Sequence, residues 1–145
     1  GAFLYYQGRV PSPVDVGQGD TGDAAGSPTA GIVWLHGLGD TAKGCVGLAR
    51  VMVVPARTRW LFPSAPMKQV SADWGLPRRA WFDMATSVVR TGGWEDRDGL
   101  VAAVRAAHEA VEELAAAGVE PSRVVIGGLS QGATVALAAA VTSPK

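Results

Sequence analysis

Short apolar runs that stop at glycine or proline recur along this chain, and they alternate with stretches whose apolar residues repeat every three or four positions. Gly31-Ile32-Val33-Trp34-Leu35 ends at His36-Gly37, the pattern of a strand covered on both faces of a parallel sheet. Trp60-Leu61-Phe62, ended by Pro63, and Val124-Val125-Ile126, ended by Gly127-Gly128, have the same character. Between these last two, Leu100, Val104, Ala107, Val111 and Leu114 draw one apolar stripe and predict a helix over about 96–117. Glu95, Asp96 and Asp98 complement the dipole at its start, and Gly118 closes it. A helix of small residues is predicted from Gln131 to about Val141. Residues 3–16 alternate loosely and predict one or two short edge strands interrupted by Pro11 and Pro13, and residues 17–30, rich in Gly, Asp, Ser and Pro, are expected to form a loop. Strands alternating with helices indicate an α/β fold with a largely parallel sheet, in one domain over residues 1–145.

Charge and composition narrow the partners. Thirteen basic residues balance thirteen acidic ones and are scattered, so the basic footprint of a nucleic-acid or anionic-membrane binder is missing. No stretch approaches the ~20 apolar residues of a membrane-spanning helix, so no stable membrane insertion is expected. The single cysteine, Cys45, offers neither an intrachain disulfide nor a metal cluster; it reads as a small packed hydrophobe and fits a reducing compartment such as the cytoplasm. A small-molecule or peptide-sized substrate remains.

Chemistry concentrates in two glycine-rich turns. Gly128-Leu129-Ser130-Gln131-Gly132 lies between a β-branched strand and a helix of small residues, where a nucleophile elbow belongs. Glycines on both sides let such a turn pass close to the neighbouring strand and helix, and the helix start directs amides at any oxyanion that forms. Ser130 is therefore the expected nucleophile. The second turn, His36-Gly37-Leu38-Gly39-Asp40, also follows a strand, and in α/β-hydrolases this loop donates an oxyanion amide. The amides of Leu38 and Gln131 are assigned to the oxyanion hole. A dinucleotide fingerprint at Gly37-x-Gly39-x-x-Ala42 lacks its acidic residue near Arg59 to Ser64, and a phosphate-binding loop would need Lys and Ser or Thr where Cys45-Val46 stand.

With these blocks in view, the chain resembles the acyl-protein thioesterase, or small carboxylesterase and lysophospholipase, family of α/β-hydrolases. The likeness rests on residues 32–41, Phe62-Pro63-Ser64-Ala65-Pro66, Trp81-Phe82-Asp83, Glu95-Asp96 with Gly99-Leu100, and Gly127 through Gly132, in one order over residues 31 to about 141. It implies hydrolysis of acyl thioesters on proteins, or of lysophospholipid and small carboxylic esters, without metal or cofactor. It also implies that Met67 to Asp83 helps wall the acyl site, with Leu38, Trp81 and Phe82 as substrate-binding residues. Departures are Ala42-Lys43-Gly44-Cys45, where family members often carry Gly-His-Gly-Trp, and Ala133, where a second glycine is common.

In this fold the triad acid and base follow the serine in chain order, yet no Asp, Glu or His follows Ser130. His36 is expected to orient its loop by hydrogen bonding and His108 to be a partly exposed helix residue, while Asp40 and Asp83 are expected to fix loops. The expected account is a C-terminally truncated sequence covering roughly the first two thirds of the family domain, with a bare hydrophobic sheet edge at Val124 to Ile126. The alternative is a natural, catalytically silent short form serving as an acyl-binding or interaction module.

Overall fold

The computed structural model describes residues 14–16, 26–86 and 96–143. Each predicted apolar run is a strand. Strand β1 is Val14–Val16, β2 is Ala30–Leu35 and β3 is Thr58–Phe62. Helices α1 (Ala42–Cys45) and α2 (Leu48–Val51) lie between β2 and β3. A separate antiparallel pair, β4 (Met67–Val70) and β5 (Leu76–Arg79), precedes helix α3, Arg97–Ala116. The chain then forms β6, Val124–Gly128, and helix α4, Gln131–Thr142. The main sheet has the order β1-β3-β2-β6. Strands β3, β2 and β6 run parallel, with Ile32 beside both Trp60 and Val125, and β1 is an antiparallel edge on β3. The expected edge strand is thus present at Val14–Val16, and the expectation for residues 3–13 lies outside the described residues.

Alternation along the central strands fills two cores. Val33, Leu35 and Leu61 point to the face covered by α3 and α4. Trp60 and Phe62, with Ile32 and Trp34, point to the opposite face and pack with Ala42 and Cys45 of α1. Fully burying side chains of this size contributes roughly 1.5–3 kcal/mol each, so β2 and β3 anchor the fold. Strand β6 differs from the two-faced burial expected of it: Val124 and Ile126 pack inward, while Val125 is 61 % exposed. It is the outermost strand of the sheet, and on its second face the Trp34 ring lies over Gly127 while Val125 stays open.

The buried face of α3 also departs from the expected stripe. Gly99, Ala103, Ala107, Ala110 and Leu114 are buried, whereas Leu100, Val104 and Val111 are only partly so. Small residues let the helix approach the sheet closely, and Leu114 fills the space above Gly31, where a Cβ would meet its Cδ1 at 2.7 Å. The larger residues flank that contact. Asp96 caps the helix by accepting the Gly99 N–H, and Gly118 follows its end at φ 93°. Among the described residues no helix is long and apolar enough to cross a membrane.

Candidate active site

Parallel pairing of β2 with β6 brings their carboxyl ends together, with Leu35 beside Gly128. Loops leaving neighbouring parallel strands at that edge form the usual ligand crevice of an α/β sheet. The two glycine-rich turns meet here: a Cβ placed on Gly37 would lie 3.6 Å from the Cβ of Ser130 and 3.5 Å from the Leu129 carbonyl oxygen. The Leu129 N–H donates to the Leu35 carbonyl at 3.0 Å and ties the elbow to the end of β2.

Ser130 occupies the N-cap position of α4 at φ 51° and ψ −120°. A serine there ordinarily turns its hydroxyl onto the amides of the first turn. At this positive φ it makes no such bond, and the exposed hydroxyl is left outward. The conformation is enforced by its neighbours. A Cβ on Gly128 would collide with the backbone carbon of Gly132 and come within 2.5 Å of its oxygen, and one on Gly132 would collide with the Leu35 carbonyl and lie 2.7 Å from the His36 oxygen. Among the described residues, neither the Leu38 nor the Gln131 backbone N–H is paired with an acceptor.

His36 is fully buried and uses both ring nitrogens. Nε2 accepts the Ala65 N–H at 3.0 Å, so the proton resides on Nδ1, which donates to the Gly37 carbonyl at 2.7 Å. Its ring packs against Trp81 with centroids 5.3 Å apart, and its carbonyl accepts the Trp81 indole N–H at 2.8 Å. Burial holds the imidazole below its ordinary pKa of 6.5. The bond to Gly37 and the charge of Asp40 oppose that shift, and the charge of Arg79 reinforces it. Below pH 6.5 the unfolded chain therefore takes up a proton that the fold resists, and stability falls as pH drops from 6.5 toward the lowered value. Above that window His36 contributes no pH dependence. Thermal melts of the full-length protein between about pH 7.5 and pH 5.5 should show a declining midpoint that His36→Gln flattens, and an identical decline in the variant would remove His36 as the cause.

Other loop bonds complete the frame. The Gly39 N–H donates to the Arg79 carbonyl at 2.8 Å, joining the loop after β2 to β5, and Arg79 Nη1 donates to the Ala65 carbonyl at 3.0 Å. Asp40 accepts the Thr41 N–H at 2.7 Å, and Asp83 accepts both the N–H and hydroxyl of Ser71, at 2.7 and 2.6 Å. Both carboxylates fix loops. His108 lies on the seam between α3 and α4, with Nε2 3.0 Å from the Ala139 carbonyl oxygen. Burial, with the nearby Asp40 carboxylate, pushes the Cys45 thiol up to about 11, so it stays protonated and unreactive at neutral pH.

The residues expected to wall the site divide by depth. Leu38 is 37 % exposed and Phe82 is half-buried, whereas Trp81 is only 2 % exposed. Sequence reasoning missed the side chain of Gln131, which is 3 % exposed. Its Oε1 accepts the Trp81 N–H at 3.0 Å and its Nε2 donates to the Phe82 carbonyl at 2.9 Å. No local signal marks a bond between residues fifty positions apart.

A family model described as Phospholipase/Carboxylesterase matches residues 21–145. Acyl-protein thioesterase 1 of Schizosaccharomyces pombe is 34 % identical over 117 residues, covering 81 % of this chain and 51 % of the relative. A rice protein named probable inactive carboxylesterase is also 34 % identical over 117 residues, covering 79 % of this chain and 48 % of its own length. The crystal structure of Arabidopsis thaliana SOBER1 superposes with a TM-score of 0.74 at 34 % identity, covering 81 % of this chain and 57 % of that one. The chain spans about half the length of the curated relatives it matches. Motif order, sheet topology and these likenesses agree: the chain belongs to the phospholipase/carboxylesterase family of α/β-hydrolases.

Proposed function

We propose that this protein is a serine hydrolase that cleaves acyl thioesters or carboxylic esters, on acylated proteins, lysophospholipids or small esters, through an acyl-enzyme on Ser130. The observation that carries this reading is the Ser130 backbone at φ 51°, held between glycines that tolerate no Cβ. Such a conformation costs a non-glycine residue about 1–3 kcal/mol and persists only where the surroundings impose it. Its return here is a hydroxyl freed from helix capping.

In the proposed reaction Ser130 Oγ bonds to the acyl carbon while its proton passes to a general base. Negative charge gathers on the former carbonyl oxygen, where the N–H groups of Leu38 and Gln131 donate to it. Collapse breaks the C–S or C–O bond, the leaving group takes the proton, and water releases the acid by the same route. The route needs no metal or cofactor. Both nitrogens of His36 are engaged and His108 is bonded on the α3–α4 seam, so neither histidine serves as the base. Leu38 and Phe82 would contact the acyl group, with Trp81 more deeply buried. A cytoplasmic site of action completes the reading.

The relative named probable inactive carboxylesterase favours a second reading, a catalytically silent protein that binds acyl groups or a partner. Treating the full-length protein with a fluorophosphonate probe separates the two. Stoichiometric labelling, mapped by peptide mass to Ser130, is the expected result, and an unlabelled Ser130 would establish the silent form.

A further inference from the structure

Gln131 faces two demands at once. Among the described residues its backbone N–H has no acceptor, while its buried side chain turns inward to the segment at Trp81 and Phe82. Of those two backbone groups, the Trp81 N–H can only donate and the Phe82 carbonyl can only accept, so the carboxamide orientation is forced. No other side chain of this length offers one acceptor and one donor in that arrangement. A glutamate would set lone pairs against the Phe82 carbonyl, an asparagine would fall short by a methylene, and a methionine would leave both buried groups unsatisfied.

Independent contacts bind the same segment. The Trp81 indole donates to the His36 carbonyl, and the Asp83 N–H donates to Asp96 Oδ2 at 2.8 Å. Phe82, half-buried between these anchors, is thus held by the residue that directly follows the nucleophile. We infer that the Gln131 carboxamide is a positioning residue that holds the Phe82 wall in register with Ser130, and that through this clamp it sets the preference for long over short acyl groups. The inference rests on the hydrolase reading above. It assigns the side chain a task separate from that of its own backbone amide: the amide meets the oxyanion of every substrate, whereas the clamp matters only to a chain long enough to reach Phe82.

The test uses the full-length protein with acetyl and octanoyl p-nitrophenyl esters. In Gln131→Met, kcat/KM for the octanoyl ester should fall about tenfold further than for the acetyl ester, with the extra loss in KM. Phe82→Ala should reproduce that loss of selectivity, and the double variant should add nothing to it, because the clamp acts through Phe82. Equal losses for the two esters, or additive effects in the double variant, would overturn the inference while leaving the hydrolase reading intact. If Gln131→Met fails to fold, Gln131→Asn serves the same comparison. A wild-type protein that the fluorophosphonate does not label and that cleaves neither ester would instead sink the underlying reading, and the clamp's selectivity role with it.

Discussion

Ser130→Ala in the full-length protein is expected to lower kcat for ester or thioester cleavage by about 10⁵ to 10⁶, with KM nearly unchanged. In the proposed mechanism the hydroxyl forms the covalent bond, so no other group in the crevice would substitute for it. Alanine keeps the Cβ that already occupies the elbow, at a site where the hydroxyl makes no helix-capping bond, so stability should shift little. Some turnover should survive. Oxyanion donors and substrate binding alone sustain ~10³ to 10⁴ over water in serine hydrolases, and the proposed donors at Leu38 and Gln131 are backbone groups that the substitution would leave in place. Progress curves at saturating substrate, with a melt of each protein, check both halves. A variant retaining more than about one hundredth of wild-type kcat would show that Ser130 is not the nucleophile.

Gly132→Ala should produce the largest loss of stability among single-methyl changes in this fold. The added carbon would press against the Leu35 carbonyl and sit 2.7 Å from the His36 oxygen, both of them backbone atoms of the central strand and its exit. Overpacking ordinarily costs about 1–3 kcal/mol, and here no flexible side chain can give way, so about 3 kcal/mol or more is expected. In a protein of this size that lowers the melting midpoint by roughly 6–12 °C. The same displacement would move the elbow off β2 and abolish labelling at Ser130. Ala133→Gly, one position on and exposed, is the control: it changes helix propensity alone, by no more than about 1 kcal/mol. If Gly132→Ala melts within about 3 °C of wild type, the close approach of elbow to β2 is not as described.

These two expectations also divide what local sequence encodes from what it does not. Strands β2, β3 and β6, the span of α3 and the start of α4 were legible because alternation, helical spacing and glycine punctuation act over a few residues. The elbow was legible for the same reason, since strand, Gly-x-Ser-x-Gly and helix form one continuous segment. The face that α3 buries was not. Leu100 and Val104 are more apolar than Gly99 and Ala103, but the sheet selects the side that lets the helix come nearest. The β4–β5 hairpin was read only as part of a wall, and its pairing came from the structure.

Within the candidate site the boundary is equally sharp. The chain alone determined that Ser130 sits on a strand-to-helix turn, with a second glycine turn available to approach it, because both are properties of adjacent residues. Only the tertiary structure decided that His36 spends both nitrogens on Ala65 and Gly37, that Trp81 is buried more deeply than Phe82, and that the Gln131 side chain bonds to both their backbones. The reason is distance along the chain. A hydrogen bond such as that from Ala65 to His36, spanning 29 positions, or from Trp81 to Gln131, spanning 50, depends on which strands pair and how closely the elements pack, and no local pattern of apolar and polar residues carries that information.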